Sequence, residues 1–438
     1  MNFKWIISLC ALAGPALAQY AGPAILSRGD TPTAMNNAQV SFRPYFEFNG
    51  IYDSGLAGPG VTQQGQLGTT GAAGIQLAGG ISGSHSWRRT SIGVDYHGNI
   101  NHYFHKTFYD ATDQFLALGI KHQFSRHVAL NVRAMGGLFD QSFNLGALES
   151  TVPYDPSQTT LPTTNFFDNR TEYLNTQADV IYQRTARLSF DFGGGAYVNR
   201  MRSASLYGVT GENAKADMQY RVSRRATIGL NYIFDHFTFT RIYGNTEVQS
   251  VAGTFAMRFT RSLEFTGYGG VSHINSQFTQ VVPIDPAIAA LLGVTEAQEV
   301  TFNRHYTPLV NGRLSYVVHN GVYYLSVGHV VTPGNGLFLT SEQTTGAAGY
   351  NYTGLRHWSM GASVAYNRAH SFGNIVGNYG NVSGTLNLSR QLAHNFHAIM
   401  SFSGNRYISN NFNNYNRVIY QTRIGIGWSP GDIPLRVW

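Results

Sequence analysis

Few side chains in this sequence stand where covalent chemistry would need them. His97, His102 and His105 fall close together and could converge on a metal ion, but no carboxylates accompany them in ligand register, so the cluster reads as a polar loop edge. Gly83-Ser84-His85-Ser86 sets hydroxyls beside an imidazole. Neighbours along a strand point to opposite faces, so Ser84 and His85 cannot meet as nucleophile and base. No Gly-x-Ser-x-Gly elbow is present. His394 and His397 flank a turn and carry no more weight. The sequence is therefore not read as an enzyme, and it implies no cofactor and no metal. A second kind of chemistry, the lining of a water-filled passage, fits Arg133, Asp191, Asn231, Glu264 and Arg423, each opposite an apolar face in an alternating run. A charge on a lipid-facing position near the bilayer midplane costs about 2 to 4 kcal/mol, which sends such residues to the other face.

The elements that carry these residues show period-two alternation from about residue 41 to the end. In Val128-Ala129-Leu130-Asn131-Val132-Arg133-Ala134-Met135 the even positions are apolar and the odd ones mixed. Leu188, Phe190 and Phe192 alternate with Ser189, Asp191 and Gly193, and Ile424, Ile426 and Trp428 with Arg423, Gly425 and Gly427. Val132 and Phe190 are expected to face lipid and Arg133 and Asp191 the lumen, with Arg133→Val the milder substitution and Val132→Arg the harmful one. Arginine-centred joints at 124–127, 182–185, 222–225, 259–262 and 388–391 read as hairpin turns. Between them lie stretches rich in Asn, Thr, Gly and Pro at roughly 139–172, 199–215, 276–304 and 331–353. The segment from Asp285 to Gly293 reads as a short helix inside one of these, with Ala287, Ile288, Leu291 and Leu292 as a pore-constricting patch or a cap resting on the rim.

Counting alternating runs predicts eighteen strands, or sixteen if the region from Asn367 to Tyr379 is divided differently. An open sheet of that size in lipid leaves two unpaired edges, so closure is required. The expected fold is all-β: a transmembrane antiparallel β-barrel with short periplasmic turns and long extracellular loops, in the range of about 16 to 18 strands that leaves an aqueous channel.

Composition agrees. The chain holds 49 glycines, 26 tyrosines and 27 phenylalanines, yet only 12% charged residues, about half of the ~25% usual in soluble domains. The net charge of +7 is scattered rather than gathered into nucleic-acid-binding arms. Residues 1–18 read as a signal peptide, with Lys4, the apolar run Trp5 to Leu12 and the cleavage site Ala16-Leu17-Ala18. Cleavage would remove Cys10, the one cysteine. Residues 19–40 read as a short periplasmic segment with no room for a plug domain, and 41–438 as the barrel with a short tail after about 428. Aromatic residues at strand ends (Tyr45, Phe124, Tyr182, Tyr316, Tyr366, Tyr407, Trp428) suit the girdles at two lipid interfaces.

The signal peptide, alternating strands, sorted connections and terminal Trp438 resemble the outer-membrane β-barrel class of double-membraned bacteria, especially its porin-like members. That resemblance implies passive diffusion of small hydrophilic solutes, with outer-membrane lipid as the surrounding partner. A structural barrel that binds a ligand or polymer, or a barrel enzyme, are the rival readings. One departure is that Pro430, Gly431 and Pro434 interrupt the last residues, so the closing strand is expected to end near Trp428.

Overall fold

The computed structural model describes residues 40–438 except 62–66, 106, 140–170, 203–205, 286–292, 294, 335, 337–338, 353–356, 373–376, 410–415, 431–432 and 436–438. The proposed signal peptide and the segment after it, up to residue 39, lie outside the described residues.

The strands are β1 (Val40–Val61), β2 (Leu67–Ser86), β3 (Thr90–Tyr103), β4 (Ala111–Gln123), β5 (Val128–Phe139), β6 (Thr171–Gln183), β7 (Leu188–Met201), β8 (Val209–Arg221) and β9 (Ala226–Phe239). They continue with β10 (Gly244–Arg258), β11 (Leu263–Pro283), β12 (Glu296–Val318), β13 (Gly321–Thr332), β14 (Ser341–Tyr352), β15 (Trp358–Ser371), β16 (Gly377–Ala393), β17 (Phe396–Ser409), β18 (Arg417–Trp428) and the short β19 (Ile433–Leu435). Each strand from β1 to β18 pairs antiparallel with its sequence neighbours, and β1 pairs with β18 from Phe46↔Trp428 to Asp53↔Gln421. That last ladder closes the sheet, so no wall strand is left as an edge. The tail after Trp428 is not idle, because β19 pairs with Val40–Phe42 and prolongs the seam.

Eighteen wall strands match the expected number, but several assignments differ: of the stretches read as loops, 199–215 holds the start of β8 and 276–304 the end of β11 and the start of β12. The stretch 331–353, read as a loop, contains β14, and the region from Asn367 to Tyr379 holds only the end of β15 and the start of one continuous strand, β16. Ser341–Tyr352 has no large aliphatic residue, only small and polar ones with Tyr350 and Tyr352 at its end, so it carries almost no apolar alternation to detect. The joint read at 388–391 is inside β16, whose turn comes at His394 and Asn395. The other four joints are hairpins with a shared chemistry. Ser125, Thr185, Ser223 and Thr260 each accept hydrogen bonds at 3.0–3.2 Å from the backbone N–H groups two and three residues on. The hydroxyl, not the neighbouring arginine, defines the turn. Ser223→Ala is expected to lower stability by about 1 kcal/mol, and Arg224→Ala by less, in urea unfolding of the folded barrel.

Alternation places large apolar side chains outside: Leu230 is 52% exposed, Ile426 53% and Ile120 44%. The opposite set is polar and buried, including Asn49, Gln76, Asn101, Asp113, Asp179 and Gln421. β11 and β12 greatly exceed the ~9–11 residues that span a bilayer, and they run on past the apolar band.

Candidate functional site: the barrel lumen

The inward face of β5 to β9 holds a buried charge network. Arg133 on β5 donates from Nη2 to Asp179 Oδ2 at 3.1 Å and to Gln177 Oε1 at 3.2 Å. Lys215 on β8 reaches Asp179 Oδ1 at 3.0 Å and Asp191 Oδ2 at 3.2 Å, and Gln177 Nε2 donates to Asp179 Oδ1 at 3.0 Å. Asn231 on β9 donates to Asp217 on β8. Gly193 explains how β6 and β8 meet across β7: it stands between Asp179 and Lys215 in register. A Cβ there would strike Asp179 Oδ1 and lie 2.7 Å from Lys215 Cε, so the ion pair crosses β7 only over a residue without a side chain.

A second network crosses the seam. Gln421 donates to Asp53 at 3.3 Å. Asn49 donates to Glu47 at 2.9 Å and to Gln76 at 3.2 Å, and Gln76 donates to Asn101 at 2.7 Å. All but the Asn49–Glu47 bond within β1 run laterally from strand to strand, and together they supply partners to the buried inward polar set.

The residues nominated from sequence fall as follows. Arg133, Asp191 and Asn231 lie on the inward set within the charge network. Arg423 is inward on β18, its Nη2 donating to Gln421 Oε1 at 2.9 Å. Glu264 shares the inward parity of β11 but sits beside the hairpin turn, half exposed and 3.5 Å from Arg258, so it belongs to the rim rather than the middle of the lumen. Ala287, Ile288, Leu291 and Leu292 lie outside the described residues. Of the proposed girdle, Phe124, Tyr182, Tyr316 and Tyr366 are exposed on the outer face, but Tyr45 and Tyr407 point inward. Tyr45 shares the parity of Glu47, and Tyr407 is buried. His97 turns inward against the Phe115 ring while His102 turns outward to Asp110 at 2.7 Å. Among the described residues no group of three or more His, Cys, Asp or Glu gathers as a metal site.

That the connection from β13 to β14 folds inward has no counterpart in the sequence reading, which places a constricting patch or rim cap at 287–292 instead. The chain leaving β13 at Thr332 turns at Gly334 and Gly336, whose φ angles of 80° and 88° favour glycine. It then buries Leu339 completely in an apolar cluster with Tyr197, Val209, Phe237, Val248 and Ile274 from β7 to β11, and Phe372 following β15. Gly336 C=O accepts from Tyr207 N–H at 2.8 Å, and the Thr340 hydroxyl lies 2.6 Å from that of Thr246 on β10. Strands far apart around the ring are thereby joined across the barrel's mouth. The stretch 331–353 is rich in Asn, Thr, Gly and Pro, and nothing local in it tells which way it points.

No protein-family model and no curated protein sequence matches this chain. Among solved structures the fold is similar to the Pseudomonas aeruginosa protein OccK5 (OpdH), at 12% identity over 91% of this chain and 98% of that one, with a TM-score of 0.42. It is also similar to OccK2 (OpdF) of the same organism, solved in complex with glucuronate, at 11% identity over 91% and 99% of the two chains and a TM-score of 0.44. The FrpB iron transporter of Neisseria meningitidis aligns at 10% identity over 87% of this chain and 63% of its own, with a TM-score of 0.42.

Proposed function

We propose that this chain is a channel of the bacterial outer membrane through which small hydrophilic solutes diffuse passively, exported by way of a cleaved signal peptide. One observation carries the reading. An eighteen-strand wall is closed on itself, with its large apolar side chains outside and its amides and charges inside. That distribution suits lipid without and water within, and strand numbers of about 16 to 18 are those that leave an aqueous lumen. The reading assigns no covalent chemistry and no cofactor to the protein.

Purified protein in planar bilayers is expected to give discrete ion-conductance steps without added ligand. Leu339→Ala, which removes a wholly buried side chain from the inward connection, is expected to cost about 2–5 kcal/mol in stability and to raise the conductance of each step. A correctly folded protein that stays electrically silent, in wild type and in this variant, would overturn the channel reading. The packing of Leu339 across the mouth favours a ligand-binding barrel as the second reading, and that silence would leave it standing.

A further inference from the structure

The two sides of the lumen differ in chemistry. Among the described residues the buried and half-buried inward acids cluster on the arc from β1 to β9, among them Glu47, Asp53, Asp113, Asp179 and Asp217, while Glu264 and Glu299 share the inward parity only at the exposed ends of β11 and β12. Among the described residues, the inward register positions of β13 to β17 hold no Asp, Glu, Lys or Arg, and the one carboxylate that reaches the inward His305 from this side, Glu342, stands at the N-terminal end of β14, away from the middle of the wall.

The registered pairs arrange that neutral wall in rows. One row runs Ser326, Ala347, Ala365, Ser383, Asn405 across the five strands. The next runs Tyr324, Gly349, Ser363, Thr385, Ser403. Ser363 and Thr385 hydroxyls lie 2.5 Å apart, and one row further up Asn381 donates to Asn405 at 3.0 Å. Between its borders in these two rows no side chain exceeds Asn in size, so the wall stands back from the axis. The serines and Thr385 are half-buried rather than sealed, and Asn387 is exposed. Each border carries a tyrosine under a guanidinium from the adjoining strand: Arg313 lies 5.3 Å from the Tyr324 ring and Arg417 5.5 Å from the Tyr407 ring.

We propose that this trough on β13 to β17 is a binding track for uncharged polyhydroxylated solutes, of the saccharide class. The inference rests on the channel reading for transport but not for binding. Hydroxyls and primary amides both donate and accept, as vicinal sugar hydroxyls do, and their desolvation is compensated by a closely spaced field of such groups. Between its borders the wall carries no fixed charge, so an anionic solute finds counter-charge only at the edges, on Arg313 and Arg417, while a neutral polyol is met by partners along the whole row. Guanidinium donors at both borders add hydrogen bonds to hydroxyl oxygens at the edges of the trough.

The test uses the full-length folded barrel and two probes, maltotriose and sodium gluconate. In planar bilayers maltotriose is expected to reduce the current in a saturable manner and at lower concentration than gluconate, whose carboxylate meets a guanidinium only at the borders. The triple variant Ser363→Ala, Thr385→Val, Ser403→Ala removes three hydroxyls of one row with little change of volume. It is expected to weaken the apparent maltotriose affinity about tenfold or more, read as the ratio of blocked to unblocked current within each variant. Asp217→Asn on the facing arc is expected to leave that affinity within about twofold of wild type, because the facing arc lies outside the track. Heat-modifiable gel migration verifies that each variant is folded. If the barrel is silent, calorimetric titration with maltotriose takes the place of current, and binding there sustains the track while the channel reading falls. Absence of saturable maltotriose binding, preference for gluconate, or an affinity unchanged in the triple variant would overturn the proposal.

Discussion

Asp179→Leu is expected to destabilise the barrel by about 3–5 kcal/mol, the largest loss of any single substitution in the lumen. Its carboxylate is the common partner of Arg133 at 3.1 Å and Lys215 at 3.0 Å, and all three side chains are nearly sealed from solvent, with 2%, 6% and 7% exposure. Removing the carboxylate leaves two buried cations, one facing Asp191 and the other Gln177. An unpaired buried charge costs far more than its pair contributes, so the effect exceeds anything expected from surface ion pairs. Urea unfolding in lipid vesicles, followed by tryptophan fluorescence, gives the number. The double variant Arg133→Met with Asp179→Leu is expected to recover part of the loss, since one stranded cation goes with its partner. A loss below about 1 kcal/mol for Asp179→Leu would show that water reaches this network freely.

The same geometry changes what sequence patterning implies for Arg133. Alternation alone makes it a lumen residue that apolar replacement should hardly disturb. Its bond to Asp179 means that Arg133→Val leaves that carboxylate with Lys215 and Gln177 alone, so a measurable loss is expected.

How much was legible follows from where the apolar pattern runs. Strand number, strand polarity and the facing of Arg133, Asp191 and Asn231 could be read because, across its apolar band, the outer face of the wall carries an apolar residue at every second position. Beyond that band both faces are wet and the signal fades. β8 begins at Val209, yet Thr210, Glu212 and Ala214 supply no apolar face, so Lys215 was read as the end of a loop. Asp179 and Gln177 lay in a strand that was identified, with Tyr173 in the same inward phase, but pairing between β6 and β8 over Gly193 is a tertiary fact. Lysine's scarcity in the chain, with positions 4, 106, 121 and 215 alone, is the one local hint that Lys215 has a defined place. The β13 to β14 connection was illegible for a different reason: positive-φ glycines license a sharp turn in either direction, and the apolar partners that draw Leu339 inward come from strands far away in sequence.

Val132→Arg is the counterpart on the outer face, expected to cost about 2–4 kcal/mol if its level is near the bilayer midplane. Val132 lies directly opposite Ile120 on β4 and Ala178 on β6. Ile120 and the nearby Val180 are 44% and 42% exposed on that surface. The new guanidinium therefore enters a field of aliphatic side chains with no acceptor in register beside it. Snorkelling lowers the cost toward either interface, which makes the size of the loss a depth gauge. Folding yield into vesicles and the urea midpoint are expected to fall together. Val132→Leu, equally apolar, is expected to be neutral. Should Val132→Arg leave stability within about 0.5 kcal/mol of wild type, the outer face of β5 would be wet at this level. The apolar band would then not be a lipid contact, and a soluble barrel would have to replace the membrane-spanning one.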